Sequence, residues 1–215
     1  MNIVVVANPK GGVGKSTLST NLAGFFAAQG ERVMLGDIDR QQSAREWLGL
    51  RSAALPRIES WEVRADEPAR PPKGTQSVVL DTPAGLHGKL LDRVLKDATH
   101  LVVPLQPSLF DILATRHFFD ALREFKAVRK GALKVGVVGM RVDVRTRAAH
   151  ELERFLSGYE LPVLGMVRDS QRYVQLAARG MTLFDLSAAA QQRDIGEWQG
   201  LIDWFKPTPR SAAID

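Results

Sequence analysis

The chain has 215 residues, 45% hydrophobic and 25% charged, which suits one well-cored domain in water and is short for two. It has no cysteine, which excludes disulfides, zinc–thiolate sites and cysteine-held iron–sulfur clusters. The net charge of +5 is localised: residues 121–180 carry 12 Lys and Arg against 6 Asp and Glu, residues 1–120 carry 14 against 13, and residues 181–215 carry 3 against 5.

Apolar runs rich in β-branched residues alternate with segments of helical period, the pattern of a parallel α/β sheet. "NIVVVA" (2–7) reads as a buried strand, followed by a glycine-rich loop and a helix from about Ser16 to Gln29 that Gly30 stops. "RVMLGDID" (32–39) is the next strand, and "QSAREWLGL" begins another helix. Residues 52–77 hold four prolines and read as a variable connection, with one short strand at "RIESWEV". "SVVLDTP" (77–83), "HLVVPLQP" (100–107), "KVGVVGMRV" (134–142) and "LPVLGMV" are further strands. Residues 112–128 and "RAAHELERFLSG" have the period of helices. In the last segment, 194–206, Trp198, Leu201, Ile202 and Phe205 fall at i, i+3, i+4 and i+7 and form one apolar stripe. Its flanking charges lean acidic, unlike a membrane-surface helix. The expected fold is a doubly wound, mainly parallel sheet with helices on both faces, in one domain over 1–215. No stretch approaches the roughly 18 apolar residues of a membrane span. The amino terminus enters a strand and a loop with no secretory leader, so the expected setting is the cytoplasm.

"NPKGGVGKST" (8–17) carries the chemistry. A strand, a glycine-rich turn and a helix together make an anion site, because glycines let backbone N–H groups close on phosphate at a helix N-terminus. Lys15 stands where the loop lysine reaches β- and γ-phosphates, the Ser16 hydroxyl is placed for Mg²⁺, and Thr17 for the α-phosphate. Asp81 ends an apolar strand and suits the Mg²⁺ water shell. Asp37 and Asp39 end the second strand, where an acid can orient the attacking water. Pro9 replaces the usual first glycine, and a second lysine, Lys10, stands beside it.

"KGGVGKST", "DIDRQQSA" and "VVLDTPAG" resemble the deviant Walker A, Walker A′ and Walker B motifs of the ParA/MinD family, and the resemblance runs on through "VVPLQPSLFDI", "RVDVRTRAAHELERFL" and "LPVLGMVRDSQRYVQLAARGMTLFDL". The chain looks most like short ParA proteins without an N-terminal helix-turn-helix domain. The resemblance implies an ATPase whose two copies sandwich ATP·Mg²⁺. The nucleotide would be held by Lys10, Gly11, Gly12, Val13, Gly14, Lys15, Ser16 and Thr17, and Mg²⁺ by Ser16, Asp37 and Asp81. Lys10, Lys15 and Asp39 would carry catalysis, with Lys10 reaching the partner's phosphates. The family usually has proline where this chain has Arg40, and often reads adenine with an asparagine where this chain offers Met140 or Arg141. The ParA branch binds DNA non-specifically as the ATP dimer, which implies DNA contacts at Arg145 and Arg172, with Arg147 beside them, and places the protein on the nucleoid. Hydrolysis would be stimulated by a ParB-like adaptor or cargo protein, in the partition of a plasmid, a chromosome or a protein assembly. The alternatives are a MinD-like membrane-associated ATPase and an ATP-dependent metabolic enzyme of similar fold.

Overall fold

The structure, a computed structural model, describes residues 1–63 and 71–206; the remainder of the proline-rich connection and of the C-terminal segment lies outside these residues. Seven strands form one sheet in the order β3-β2-β4-β1-β5-β6-β7, every pairing parallel. They are β1 (Asn2–Val6), β2 (Val33–Asp37), β3 (Ile58–Trp61), β4 (Ser77–Asp81), β5 (His100–Leu105), β6 (Lys134–Met140) and β7 (Val163–Val167). β1 pairs with β4 on one side and β5 on the other. Chain connections diverge there to opposite halves of the sheet, opening a crevice at the C-terminal end of β1, where ligands of such sheets bind.

Alternation along the strands feeds two cores. Val4 and Val6 face a cluster with Leu18, Leu22 and Phe26 of helix α1 (Lys15–Ala28), Trp47 of α2 (Ser43–Gly49), and Trp198 and Leu201 near the C-terminus. Val5 and Ala7 face the other, with Leu91 and Leu95 of α3 (Gly88–Leu95), Phe119 and Leu122 of α4 (Leu109–Glu124), and Leu152 and Leu156 of α6 (Arg147–Ser157). Burying a side chain such as Phe26 or Phe119 contributes about 2–3 kcal/mol. α1 is buried on nearly every side. Its Gly24 lies so close to Thr182 that a Cβ would sit 2.3 Å from Oγ1.

Four elements depart from the sequence reading. The helix expected over 112–128 begins at Leu109, where the Ser108 hydroxyl accepts the Asp111 N–H. It breaks at Phe125 (ψ 122°) before a separate turn, α5 (Lys126–Arg129). The helix expected over 194–206 follows α8 (Ala188–Gln191) and is a 3₁₀ turn, Ile195–Trp198, continued by α9 (Gln199–Phe205). The segment lies tightly against β7: a Cβ on Gly165 would meet Glu197 O at 2.3 Å, and one on Gly200 would meet Leu164 O at 2.6 Å. The apolar stripe is nonetheless turned inward, Trp198 and Leu201 buried and Ile202 and Phe205 packed on the core. Helices α3 and α7 (Gln171–Ala177) were not expected. Each is eight residues or fewer with two buried anchors, Leu91 and Leu95 or Tyr173 and Leu176, too short for a period to register.

Candidate nucleotide-binding site

The loop between β1 and α1 is fixed from three directions. Asn8 is fully buried. Its Oδ1 accepts the Lys10 N–H at 2.8 Å, while its Nδ2 donates to Pro104 O at 2.8 Å and to Thr115 Oγ1 at 3.3 Å. Gln106 Nε2 donates to Gly12 O at 3.0 Å, and Gly85 N donates to Pro9 O at 2.8 Å. β5, α4 and the loop after β4 thus all hold the turn. Gly12 and Gly14 have φ of 77° and 93°, the left-handed region that costs L-residues roughly 1–2 kcal/mol. Gly14 ends the loop as the residue before α1, whose first N–H groups face its mouth.

The two lysines part company. Lys15 is buried, and its Nζ donates to the Lys10 carbonyl at 3.0 Å. Burial lowers its pKa, an effect opposed by the charges of Asp81 and Asp39. The Lys10 side chain is exposed and has no ion pair among the described residues.

Asp81 is 1% exposed. The hydroxyls of Ser16 and Ser19 both bond its carboxylate, Ser19 Oγ at 3.0 Å. Burial pushes its pKa up to about 6, against the pull of the two serines. Asp37 is its partner in the β2–β4 register. Its carboxylate is spent on backbone: Oδ1 accepts the Asp39 N–H at 2.9 Å, and Oδ2 accepts Ala44 N–H at 2.8 Å and Arg45 N–H at 3.3 Å. Asp37 therefore caps α2 from the neighbouring strand, in place of Gln42, which sits at φ 50° without a side-chain cap of its own. Burial raises the Asp37 pKa too. Asp39 is half-buried and accepts the Gln41 N–H at 3.0 Å, so Gln41 is tied to Asp39 with Arg40 exposed between them.

Among the described residues no group of three or more His, Cys, Asp or Glu is arranged to cage a metal. The donor set instead matches Mg²⁺ at a phosphate site, where one or two protein oxygens and water complete a shell shared with the nucleotide. A desolvated carboxylate bonded to the loop serine, with a second carboxylate opposite, fits that role.

Beside the loop a cleft of about 270 Å³ is lined by Gly14, Thr17, Met140, Arg141, Val167 and Tyr173, among others. Met140 is buried and approaches Gly14 so closely that a Cβ there would be 3.0 Å from its Cε. Arg141 has φ 54°, uncommon for a residue with a Cβ, and its side chain is largely exposed.

The three arginines expected at DNA do not converge as free cations. Arg145 forms a bidentate pair with Asp143, at 3.0 and 2.9 Å. Arg147 pairs with Glu151 at 3.0 Å. Arg172 is half-buried and bonds Ala190 O and Asp194, a fully buried carboxylate also held by Arg168. Sequence reasoning also passed over Asn8, Ser19 and Gln106, which shape the loop and its acid. None left a distinct signal: Ser19 stands in a polar run with Thr17, Thr20 and Asn21 that singles out none of them.

The CobQ/CobB/MinD/ParA nucleotide binding domain family matches residues 4–183. Maintenance of carboxysome distribution protein A from Gloeobacter kilaueensis is 34% identical over 188 residues, covering 84% of this chain and 83% of that one. The chromosome-partitioning ATPase Soj of Thermus thermophilus is 28% identical over 189 residues, covering 73% and 76%. An ATP complex of McdA from Cyanothece shares the fold, with a TM-score of 0.72 at 16% identity over 97% of this chain and 98% of that one. This chain belongs to the CobQ/CobB/MinD/ParA family of nucleotide-binding domains.

Proposed function

We propose that the protein is an ATPase that dimerises around ATP·Mg²⁺, binds DNA without sequence preference and positions a cargo. The division of labour between the two lysines carries this reading. Lys15 is held inside its own loop, where its charge meets the bound phosphates. Lys10 projects from the rim with no partner among the described residues, and a second copy facing the loop brings phosphates within its reach. Opposed lysines offset the negative charge that two facing nucleotides concentrate. Leu109, Phe110 and Leu113, exposed at the start of α4, lie just beyond Gln106 and give that face an apolar rim.

In the bound site the loop N–H groups and Lys15 grip the phosphates, and Ser16 and Asp81 hold Mg²⁺ with Asp37 close by. The cation, when bound, neutralises the β- and γ-phosphate oxygens. Asp39, anchored through its N–H to Asp37 and through its carboxylate to Gln41, orients the attacking water. The cleft over Met140, beside Arg141, would receive the base. Dimer formation with ATP and release after hydrolysis make the cycle, and an adaptor or cargo protein accelerates the hydrolytic step. The named roles of two relatives, carboxysome distribution and chromosome partitioning, support positioning as the task. The inward-facing stripe of α9 supports DNA over a membrane as the surface bound, because that apolar face is already covered.

Retention on random-sequence duplex DNA with ATP, ADP or no nucleotide tests this, for wild type and Lys10→Ala, with light scattering to follow the dimer. ATP-dependent dimerisation and retention, both lost in Lys10→Ala, are expected. Wild type that dimerises with ATP but ignores DNA removes the DNA part of the reading, and a Lys10→Ala variant that dimerises normally removes the bridging role.

A further inference from the structure

The basic excess of residues 121–180 divides unevenly on the structure. Residues 121–134 hold five cations, Arg123, Lys126, Arg129, Lys130 and Lys134, against the single acid Glu124, whereas residues 135–180 hold seven against five. Of the seven, Arg145, Arg147, Arg168 and Arg172 are already paired with carboxylates, and Arg141 stands 4.0 Å from Asp169; Arg154 and Arg179 are exposed, far apart in the chain, and without an ion pair among the described residues. Lys126, Arg129, Lys130 and Lys134 are all exposed, and among the described residues none of them makes an ion pair.

The fold gathers three of them. The break at Phe125 turns the chain into α5, where Lys126, Arg129 and the C-capping Lys130 fall at i, i+3 and i+4 and share a face. The chain then folds straight back, the N–H groups of Ala132 and Leu133 both donating to Ala127 O at 2.9 and 3.0 Å. Gly131, at φ 67°, makes that reversal into β6, where Lys134 pairs in register with His100 and alternates with Val135, so its side chain stands on the face of the sheet opposite α5. Phe125, Ala127, Val128 and the buried Leu133 pack against the core, so charge dominates the outward side of α5.

We propose that this corner, Lys126, Arg129 and Lys130, is the principal phosphate-contact surface for duplex DNA, a refinement that rests on the DNA reading above. Unpaired cations can take phosphates directly, whereas Arg145, Arg147 and Arg172 must first give up a carboxylate. Exposed cations on a short turn, without a shaped pocket, suit a repeating phosphate backbone read by charge. An anionic membrane surface fits less well, because such contacts add an inserted apolar face, and here that face is turned inward. The corner lies at the start of β6, about 20 Å along the strand from the nucleotide edge. Each protomer thus carries a complete surface, and ATP raises affinity for long DNA by joining two of them.

The test measures retention on DNA with ATP between 50 and 200 mM salt, and on anionic vesicles, for three proteins: wild type, Lys126→Gln/Arg129→Gln/Lys130→Gln, and Arg145→Gln/Arg147→Gln/Arg172→Gln. Melting curves confirm that each is folded. The α5 variant is expected to bind DNA at least tenfold more weakly at low salt, its log–log salt slope smaller by roughly 2–3, and to lose more than the arginine variant. An unchanged α5 variant, with binding abolished in the arginine variant, overturns this surface and leaves the DNA reading standing. Wild type that retains no DNA in any nucleotide state ends both. Loss of binding to anionic vesicles alone, with DNA never bound, assigns the corner to a membrane and overturns the proposal.

Discussion

Asp37 and Asp81 stand opposite each other in the parallel β2–β4 register, at the C-terminal ends of adjacent strands. Each is buried, and burial is the main cause that raises the pKa of each; the charge of Asp37 pushes Asp81 further up, and the charge of Asp39 does the same to Asp37. Two crowded carboxylates destabilise the metal-free fold and favour a divalent cation. Asp81→Asn keeps the shape and removes the charge. The variant is expected to melt at the same temperature as wild type or a few degrees higher without metal or nucleotide, and to lose most of the further rise that Mg²⁺ and ADP give wild type. A variant that melts well below wild type without metal, yet responds fully to Mg²⁺ and ADP, contradicts this assignment.

Gly14 joins the loop to the cleft. At φ 93° an L-residue is strained, and its Cβ would press on Met140 Cε at 3.0 Å. The methionine end can move, so the fold survives, but the backbone turn that presents the N–H groups is distorted. With roughly 1–2 kcal/mol of strain in the left-handed region, Gly14→Ala is expected to weaken nucleotide binding about tenfold while melting close to wild type. Titration with a fluorescent ADP analogue reads the difference.

The loop and the sheet were legible in the sequence because their signals are local. Val4, Val5 and Val6 announce a buried strand, and the spacing of Gly11, Gly12, Gly14, Lys15 and Ser16 announces the turn that follows. What escaped depends on how side chains turn and pack. That the Asp37 carboxylate turns to the α2 N–H groups seven and eight residues on, that Asn8 is tied to Pro104 and Thr115, and that Arg172 is taken up by Asp194 are facts of packing, which no spacing encodes. The basic stretch shows both sides: its charge was visible in composition, but only the pairing pattern separates the neutralised arginines from the unpaired corner at α5.

Arg51 and Asp185 illustrate the same limit and yield a stability test. The Arg51 side chain is 4% exposed and that of Asp185 fully buried. Arg51 donates to both carboxylate oxygens, at 2.8 and 2.7 Å, and to Gly180 O and Pro56 O. Asp185 also accepts from the Thr182 N–H and hydroxyl. The pair anchors the C-terminal end of α2 to the turn that packs on α1, where the Leu183 N–H donates to Asn21 Oδ1 at 3.0 Å. Removing one partner strands a buried charge, so Arg51→Ala is expected to cost roughly 3–5 kcal/mol in urea unfolding. Asp185→Ala is expected to cost a similar amount, and the double variant less than the sum of the two. Strict additivity would show that the pair does not act as a unit.

The pH dependence of the metal-free protein sets two buried groups against each other. His100 begins β5 against the rings of Trp204 and Phe205, each centred 4.9 Å away. Burial, with help from the charge of Lys134, lowers its pKa from 6.5 to about 4. Between those values the unfolded chain binds a proton that the folded chain refuses, so His100 removes stability as pH falls from 6.5 towards 4. Asp81 acts in the opposite sense: with its pKa raised from 3.8 to about 6, the folded state takes up the proton first, and stability grows as pH falls from 6 towards 3.8. Over pH 6 to 4.5 the two contributions offset each other in wild type. His100→Phe keeps a ring against Trp204 and Phe205 and cannot titrate, so its melting temperature is expected to hold or rise relative to wild type as the solution is acidified. Asp81→Asn leaves the histidine uncompensated, and its melting temperature is expected to fall more steeply than wild type over the same interval. Parallel curves for all three proteins would mean that neither group titrates differently in the folded and unfolded chains.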